Sequence, residues 1–391
     1  MKIPAVILSS HTTGLAVIRA LGQMGVPIIV IYYEKIDMGQ VSKYVKERIF
    51  APHPEKFEKE FIDLLTKSSQ RFGKCLLIPA DDPTLVVVSK NKSQLKKHFH
   101  VGCTEWQITR KFIDKKFTYE LAESNGIPAP KTIIPKSIED LERYDKKIEY
   151  PCLVKPRQSH LYSKLFKKKM TRVENFNQLI SAYRDATDVG IEVLIQELIP
   201  GDDTQNVNYN SYFWESKPLV EFTAEKIRLS PPKFGVPSIV ISKYIPEIIK
   251  PGRQILQAMG FYGYSCTEFK KDTRDGVYKL MEVNGRHNRS GILSVRCGIN
   301  FPWIEYKHLT QRELPIACSY QNGIYWIDEF RDIVHNSKYI IKERYSLFQY
   351  LRPYQRSHIF STFDLQDPIP FIKRCINLGT RTLNFIFHFL Q

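Results

Sequence analysis

Two short runs without a polar residue, Ala5-Val6-Ile7-Leu8 and Ile28-Ile29-Val30-Ile31, bracket a segment in which Leu15, Ile18 and Leu21 recur at helical spacing. Runs this apolar read as strands buried on both faces. Two such strands joined through a helix lie parallel, because only a crossover returns the chain to the same end of the sheet. Gly25-Val26-Pro27 closes the helix, so the opening is a βαβ unit. Phe57, Phe61, Leu64 and Leu65 mark a further amphipathic helix, and Cys75-Leu76-Leu77-Ile78-Pro79 a third buried strand. The first stretch of the chain is therefore expected to be a small doubly wound α/β domain.

Strand carboxyl ends in such a domain form ligand crevices. Thr12, Thr13, Asp81 and Asp82 stand at those ends, where they either line a crevice or cap helices. Gly14 is the only glycine in the first βα turn, so the GxGxxG of a dinucleotide site is missing and NAD is not expected.

Beyond it, Ile113, Phe117 and Leu121 at i, i+4 and i+8 predict one helix from Thr109 to Asn125, ended by Gly126. An extended connector follows at Ile127-Pro128-Ala129-Pro130. Strands are expected at Cys152-Leu153-Val154-Lys155-Pro156, at Val193-Leu194-Ile195-Gln196-Glu197, and near residues 219–222, 266–269 and 278–283. Strands with few intervening helices predict a mixed α+β region.

The chemistry concentrates in that region. Cys266–Phe269 and Leu280–Val283 flank the polar turn Asp272–Gly276, the pattern of a hairpin. Glu282 and Asn284 are two apart and share a face, Arg286 continues the parity, and Glu268 can meet them across the ladder. Two carboxylates and an amide are hard oxygen ligands suited to Mg²⁺. Lys155 sits within an apolar strand and Lys115 just inside a helix, and a buried lysine needs an anionic partner such as phosphate. Gln196-Glu197-Leu198-Ile199-Pro200-Gly201 is a strand end that turns sharply, where backbone groups can read an adenine edge.

The order of these parts resembles the ATP-grasp superfamily, nearest its carbamoyl-phosphate-synthetase-like branch with D-aspartate ligase and related carboxylate–amine ligases. The likeness covers residues 3–310 and rests on Asp114-Lys115, Val154-Lys155-Pro156, Gln196-Glu197 with Ile199-Pro200-Gly201, and Glu268 with Glu282-Val283-Asn284-Gly285-Arg286. It implies a small Rossmann-like pre-ATP-grasp domain (1–108) and a two-lobed ATP-grasp domain (109–320, lid lobe 126–200); the basic, partly amphipathic helical extension (321–391) falls outside the likeness. It implies ATP and Mg²⁺ (or Mn²⁺) as cofactors. Lys115 and Lys155 would hold phosphates. Gln196, Glu197, Leu198 and Ile199 would line the nucleotide site, with Glu197 and the backbone of Leu198 and Ile199 on adenine or ribose. Glu268, Glu282 and Asn284 would ligate metal, Arg286 would act on the transferring phosphoryl, and Lys226 and Arg228 would supply further cations. The implied activity is amide formation from a small carboxylate and an amine, an amino acid among them, through an acyl phosphate, and a homodimer fits the family; a cell-envelope or glycan precursor as substrate would suit a C-terminal helix lying on a membrane.

One departure is the stretch Ser159–Lys169, which has no glycine where family members carry a glycine-rich lid. Either side chains such as Lys168 or Lys169 replace backbone amides over the phosphates, or the loop is a solvated basic segment. His287 is expected to pack.

The net charge of +16 should attract anions, but no nucleic-acid-binding signature accompanies it, and nucleic acid is not an expected partner. A basic scaffold for an anionic polymer would use the Lys164–Lys169 run and show steep salt dependence without ATP hydrolysis. A non-catalytic binding protein on the same fold predicts a broken metal triad. The seven cysteines form no CxxC pair, which argues against a disulfide framework or zinc site and suits a reducing cytosol. Ile3–Leu8 is too short for a signal peptide or spanning helix. Near the C-terminus, Phe371, Ile372, Cys375, Ile376, Leu378, Leu383, Ile386, Phe387 and Leu390 recur at roughly helical spacing with Lys373, Arg374 and Arg381 between them. That helix either docks on its own domain or lies on an anionic membrane face, and the protein is expected to be cytoplasmic or peripheral to the inner face of the membrane.

Overall fold

In the computed structural model, which describes residues 2–157, 162, 165–166, 168–335 and 346–389, three sheets carry the molecule. The first comprises β1 (Ala5–Leu8), β2 (Ile28–Tyr32), β3 (Val45–Phe50), β4 (Leu76–Pro79) and β5 (His100–Val101). Its strands are all parallel in the order β3-β2-β1-β4-β5. Every residue of β1 is fully buried, as an apolar run flanked on both sides requires. The order reverses at β1, so a crevice opens beyond its carboxyl end, where Ser10 donates its N–H to Asp37 at 2.9 Å and His11 lies 3.8 Å from Asp81 at the end of β4.

The second sheet is built from β6 (Thr132–Ile133), β7 (Cys152–Pro156), β8 (Thr171–Val173) and β9 (Val193–Glu197), antiparallel in the order β6-β9-β7-β8. It has its own core, with Leu141, Val154, Leu179, Tyr183 and Ile195 at its centre. The third holds β10 (Asn206–Trp214), β11 (Lys217–Ser230), β12 (Val236–Ser242), β13 (Gly263–Lys271), β14 (Tyr278–Asn284), β15 (Tyr325–Ile327) and β16 (His358–Phe360). Their order is β14-β13-β10-β11-β12-β15-β16. One continuous apolar core joins Leu8, Phe61 and Leu77 of the first domain to Phe112, Phe269, Leu280 and Val283 of the large sheet. The large sheet and the first domain thus share packing, whereas the four-stranded lobe is held separately.

The segment after residue 320 extends the large sheet: β15 pairs with β12 and β16 with β15. Asp367, fully buried, then accepts hydrogen bonds from Arg19 Nε at 3.0 Å, Ser42 Oγ at 2.7 Å and the Lys43 N–H at 2.9 Å. This ties the start of the Ile369–Phe389 helix to the first domain. Phe371 packs on Phe330 and Phe363, while Ile369, Ile372 and Ile376 face outward. No helix among the described residues is long and apolar enough to cross a membrane.

The single helix expected from Thr109 to Asn125 is two, Trp106–Ile113 and Lys115–Ser124. Apolar periodicity continues across the break, which is why spacing alone did not reveal it. Asp114 interrupts the helix with extended backbone (φ −94°, ψ 109°) and its carboxylate accepts the Lys116 N–H at 3.1 Å. The same carboxylate receives the Arg157 guanidinium, with Nε at 3.1 Å. The cap sets Lys115 at the first position of the second helix.

Candidate active site

Between the four-stranded lobe and the large sheet lies a cavity of about 360 Å³. Lys115, Lys155, Lys169, Lys226, Lys233, Lys270 and Arg286 line it together with Asp82, Glu268, Glu282 and Asn284. Leu153, Met170, Leu198, Ile199, Leu229, Phe234 and Met281 supply apolar walls. Cations outnumber carboxylates, so the cavity attracts anions, and the apolar walls suit a flat ring.

The β13–β14 hairpin places the acidic oxygens. Glu268 stands directly opposite Glu282, and Cys266 opposite Asn284. A register shift follows Glu268, so Phe269 pairs with Leu280 and Met281 is the extra residue. Each carboxylate has a lysine: Glu268 is paired with Lys226, and Glu282 with Lys115 at 3.3 Å. Burial alone would raise the Glu282 carboxyl, but Lys115, Lys169 and Arg286 hold it below its ordinary value. Two carboxylates and an amide fit Mg²⁺, which takes few protein ligands and fills its shell from phosphate and water. Asn208, opposite Glu268 on β10, adds a buried side-chain oxygen with no hydrogen-bond partner among the described residues.

Arg286 lies past the end of β14 and its Nε donates to Asp82 at 2.6 Å. Burial opposes its charge, yet Asp82 and Glu282 keep its pKa above the usual arginine value. Gly285 makes this geometry available: a Cβ there would stand 2.4 Å from the Phe112 ring. Lys155, on β7, is buried and donates to the side-chain oxygen of Gln196 at 2.6 Å. Burial and the neighbouring Lys115 pull its pKa down to about 8. Gln196 in turn donates to Thr132 Oγ1 at 3.0 Å, so it fixes the lysine from behind.

The structure therefore gathers Lys115, Lys155, Lys226, Leu198, Ile199, Glu268, Glu282, Asn284 and Arg286 around one cavity. Three expected positions stand off the lining, and the first, Gln196, is fully buried behind Lys155. Glu197 accepts the Lys131 N–H at 3.0 Å and the Arg274 guanidinium, and its side chain is engaged outside the cavity lining. Arg228 is buried on Asp332, with Nε to Oδ1 at 2.9 Å and Nη2 to Oδ2 at 2.7 Å. Irregularities in the β11–β12 pairing on both sides of Arg228 break the two-residue period, so Lys226 and Leu229 reach the cavity and Arg228 does not. Of the basic loop, Lys169 lines the cavity 3.5 Å from the Gly235 carbonyl, whereas residues 158–161, 163–164 and 167 lie outside the described ones. His287 packs, stacked on Tyr264 and 2.9 Å from Glu305. Lys270 was missed, although it is two residues from Glu268 on one strand; its ammonium donates to the Ile199 carbonyl at 2.9 Å. Lys233 and Phe234 come from a turn whose position no periodicity announces.

No family model matches the chain. Over 287 residues it is 24% identical to a D-aspartate ligase from Enterococcus faecium (strain Aus0004), covering 69% of this chain and 65% of that ligase, less than two thirds of its length. An L-amino acid ligase from Bacillus licheniformis superposes with a TM-score of 0.63 at 18% identity, over 79% of this chain and 74% of that one. The biotin carboxylase domain of the 2-oxoglutarate carboxylase from Hydrogenobacter thermophilus, solved with MgADP and bicarbonate, gives a TM-score of 0.65 at 15% identity over 83% and 74%. The fold is the ATP-grasp fold. The sequence relatives include a D-aspartate ligase, D-alanine–D-alanine ligases and a carbamoyl phosphate synthase large chain, so the resemblance drawn from the motifs holds.

Proposed function

We propose that this chain is an ATP-dependent carboxylate–amine ligase working through an acyl phosphate. The observation that carries the reading is the meeting of two opposed carboxylates and an amide with Lys115, Lys155, Lys226 and Arg286 around one cavity, with no activated nucleophile in its lining among the described residues. A carboxylate anion resists attack by an amine. Transfer of the γ-phosphoryl of ATP to it gives a mixed anhydride with a good leaving group, and catalysis of that step is positioning plus charge neutralisation. Mg²⁺, held by Glu268, Glu282 and Asn284, would offset phosphate charge. Lys155 and Lys115 bind phosphate oxygens, Leu198 and Ile199 flank the base, and Arg286 holds the phosphoryl as it moves. The amine then attacks the acyl carbon, giving amide, ADP and phosphate.

The purified protein with ATP, Mg²⁺ and pooled amino acids is expected to release ADP only when both an acid and an amine are present. No uptake of ATP and Mg²⁺ in calorimetry would overturn the reading.

Lys155 gives a pH signature. Its pKa near 8 lies below that of an ordinary lysine, so between pH 8 and the unfolded value the unfolded chain holds the proton the folded one has lost. That contribution makes stability rise with pH across the window. Phosphate favours the charged ammonium, so nucleotide binding at pH 8 takes up protons, and affinity falls as pH rises through 8. Calorimetry in two buffers of different ionisation enthalpy should show this uptake, reduced in Lys155→Met; equal uptake in both proteins would remove Lys155 from the phosphate site.

The outward row Ile369, Ile372 and Ile376, with Leu365 also exposed, supports peripheral contact of the C-terminal helix with a membrane, which suits a ligase acting on an envelope precursor.

A further inference from the structure

Beside the nucleotide cavity, three arginines from distant segments share one carboxylate. Asp328 is fully buried, Arg289 and Arg374 donate to it at 2.7 Å each, and Arg331 is only ion-paired to it, Nε standing 3.5 Å away without a hydrogen bond. One carboxylate cannot balance three guanidiniums. The Nε groups of Arg289 and Arg331 are buried and have no hydrogen-bond partner among the described residues, and an unmatched buried donor is costly. Burial and the adjacent Arg289 drag the Arg331 pKa down to about 10, against the pull of Asp328. Both side chains keep a route to solvent, at 26% and 33% exposure.

The surroundings add positive potential. Arg289 donates to Thr12 Oγ1 at 3.2 Å, at the N-terminus of the Thr12–Gly22 helix, which has no acidic residue in its first turn. Arg289 follows Arg286 of the cavity lining by three residues, and the Thr12 it meets adjoins His11, 3.8 Å from Asp81 next to the lining residue Asp82, so the cluster adjoins the cavity where the phosphoryl is handled. It is assembled by the chain's own C-terminal segment: Arg374 comes from the Ile369–Phe389 helix, stacked 4.4 Å over Phe330.

We propose that Arg289, Arg331 and Arg374 form an oxyanion subsite, and that one substrate of the ligase carries a carboxylate or phosphate remote from its reacting group. The second half rests on the ligase reading; the subsite itself does not. Guanidinium forks match both oxyanions bidentately. The C-terminal segment thereby becomes part of substrate selection.

The test titrates the full-length protein, saturated with Mg²⁺ and a non-hydrolysable ATP analogue, with inorganic phosphate, succinate or acetate, reading melting temperature and calorimetric heat. Phosphate or succinate is expected to bind more tightly than acetate, and Arg331→Met to weaken that binding about tenfold or more, the loss typical of a charged hydrogen bond, without changing analogue affinity. Arg331 makes the longest of the three contacts, so Asp328 keeps two partners in the variant. Should Arg331→Met fail to fold, Arg331→Lys keeps the charge without the fork and is read in the same way. Preference for phosphate identifies a phosphorylated substrate, and preference for succinate a dicarboxylate. Absence of anion binding in the wild type, or equal binding in the variant, overturns the subsite. If the analogue itself does not bind, the ligase reading fails, while anion binding lost in the variant still upholds the subsite.

Discussion

Arg286→Ala should lower the rate of ADP formation by roughly 10²–10³-fold, the loss typical when one preorganised donor to developing charge is removed. The side chain is enclosed, aimed by its hydrogen bond to Asp82 and charged at any working pH. Little reorganisation is then needed as charge moves onto the transferring group. Stability should change little. Asp82, the partner left behind, is 39% exposed and can return to water. Arg286→Lys, a point charge without the fork, should recover part of the rate. Initial rates and nucleotide affinity, measured on the same preparations, separate the outcomes. A large rise in the nucleotide Kd with unchanged turnover at saturation would make Arg286 a binding residue only, and near-normal values of both would remove it from the site.

The parts of the site readable from sequence are those in which local periodicity survived folding. Glu268 and Glu282 come together because a hairpin with a short polar turn has few registers, and the observed register sets them opposite each other. β1, β2 and β4 were readable because a strand buried on both faces has no polar residues to confuse its bounds. What escaped depends on contacts distant in sequence. Asp82 finds Arg286 across 204 residues, and Arg374 reaches Asp328 only once the C-terminal helix has docked. Lys270 shared parity with Glu268 and was within reach of the same argument that found Glu282. The break at Asp114 escaped because the apolar rhythm runs through it, although an Asp-Lys step is itself a capping signal.

Arg228 is where parity failed, and its replacement should give the largest stability change. Arg228→Met leaves Asp332 without its cation at a fully buried position, and removing one partner of such a pair costs about 3–5 kcal/mol. Asp332 would keep Ser238 Oγ at 3.0 Å and Tyr354 OH at 2.7 Å, which soften the loss without supplying charge. Arg228 also donates to the Tyr350 carbonyl at 3.1 Å and lies 4.1 Å over that ring, so truncation loosens the segment that follows residue 346. Denaturant unfolding should show the reduced midpoint, while the folded fraction binds nucleotide as the wild type does. Pairing Arg228→Met with Asp332→Leu should restore much of the stability, since a buried ion pair replaced by apolar side chains of similar volume is often neutral. An unchanged midpoint together with lost turnover would return Arg228 to the catalytic cations and show that the strand irregularity does not hold in solution.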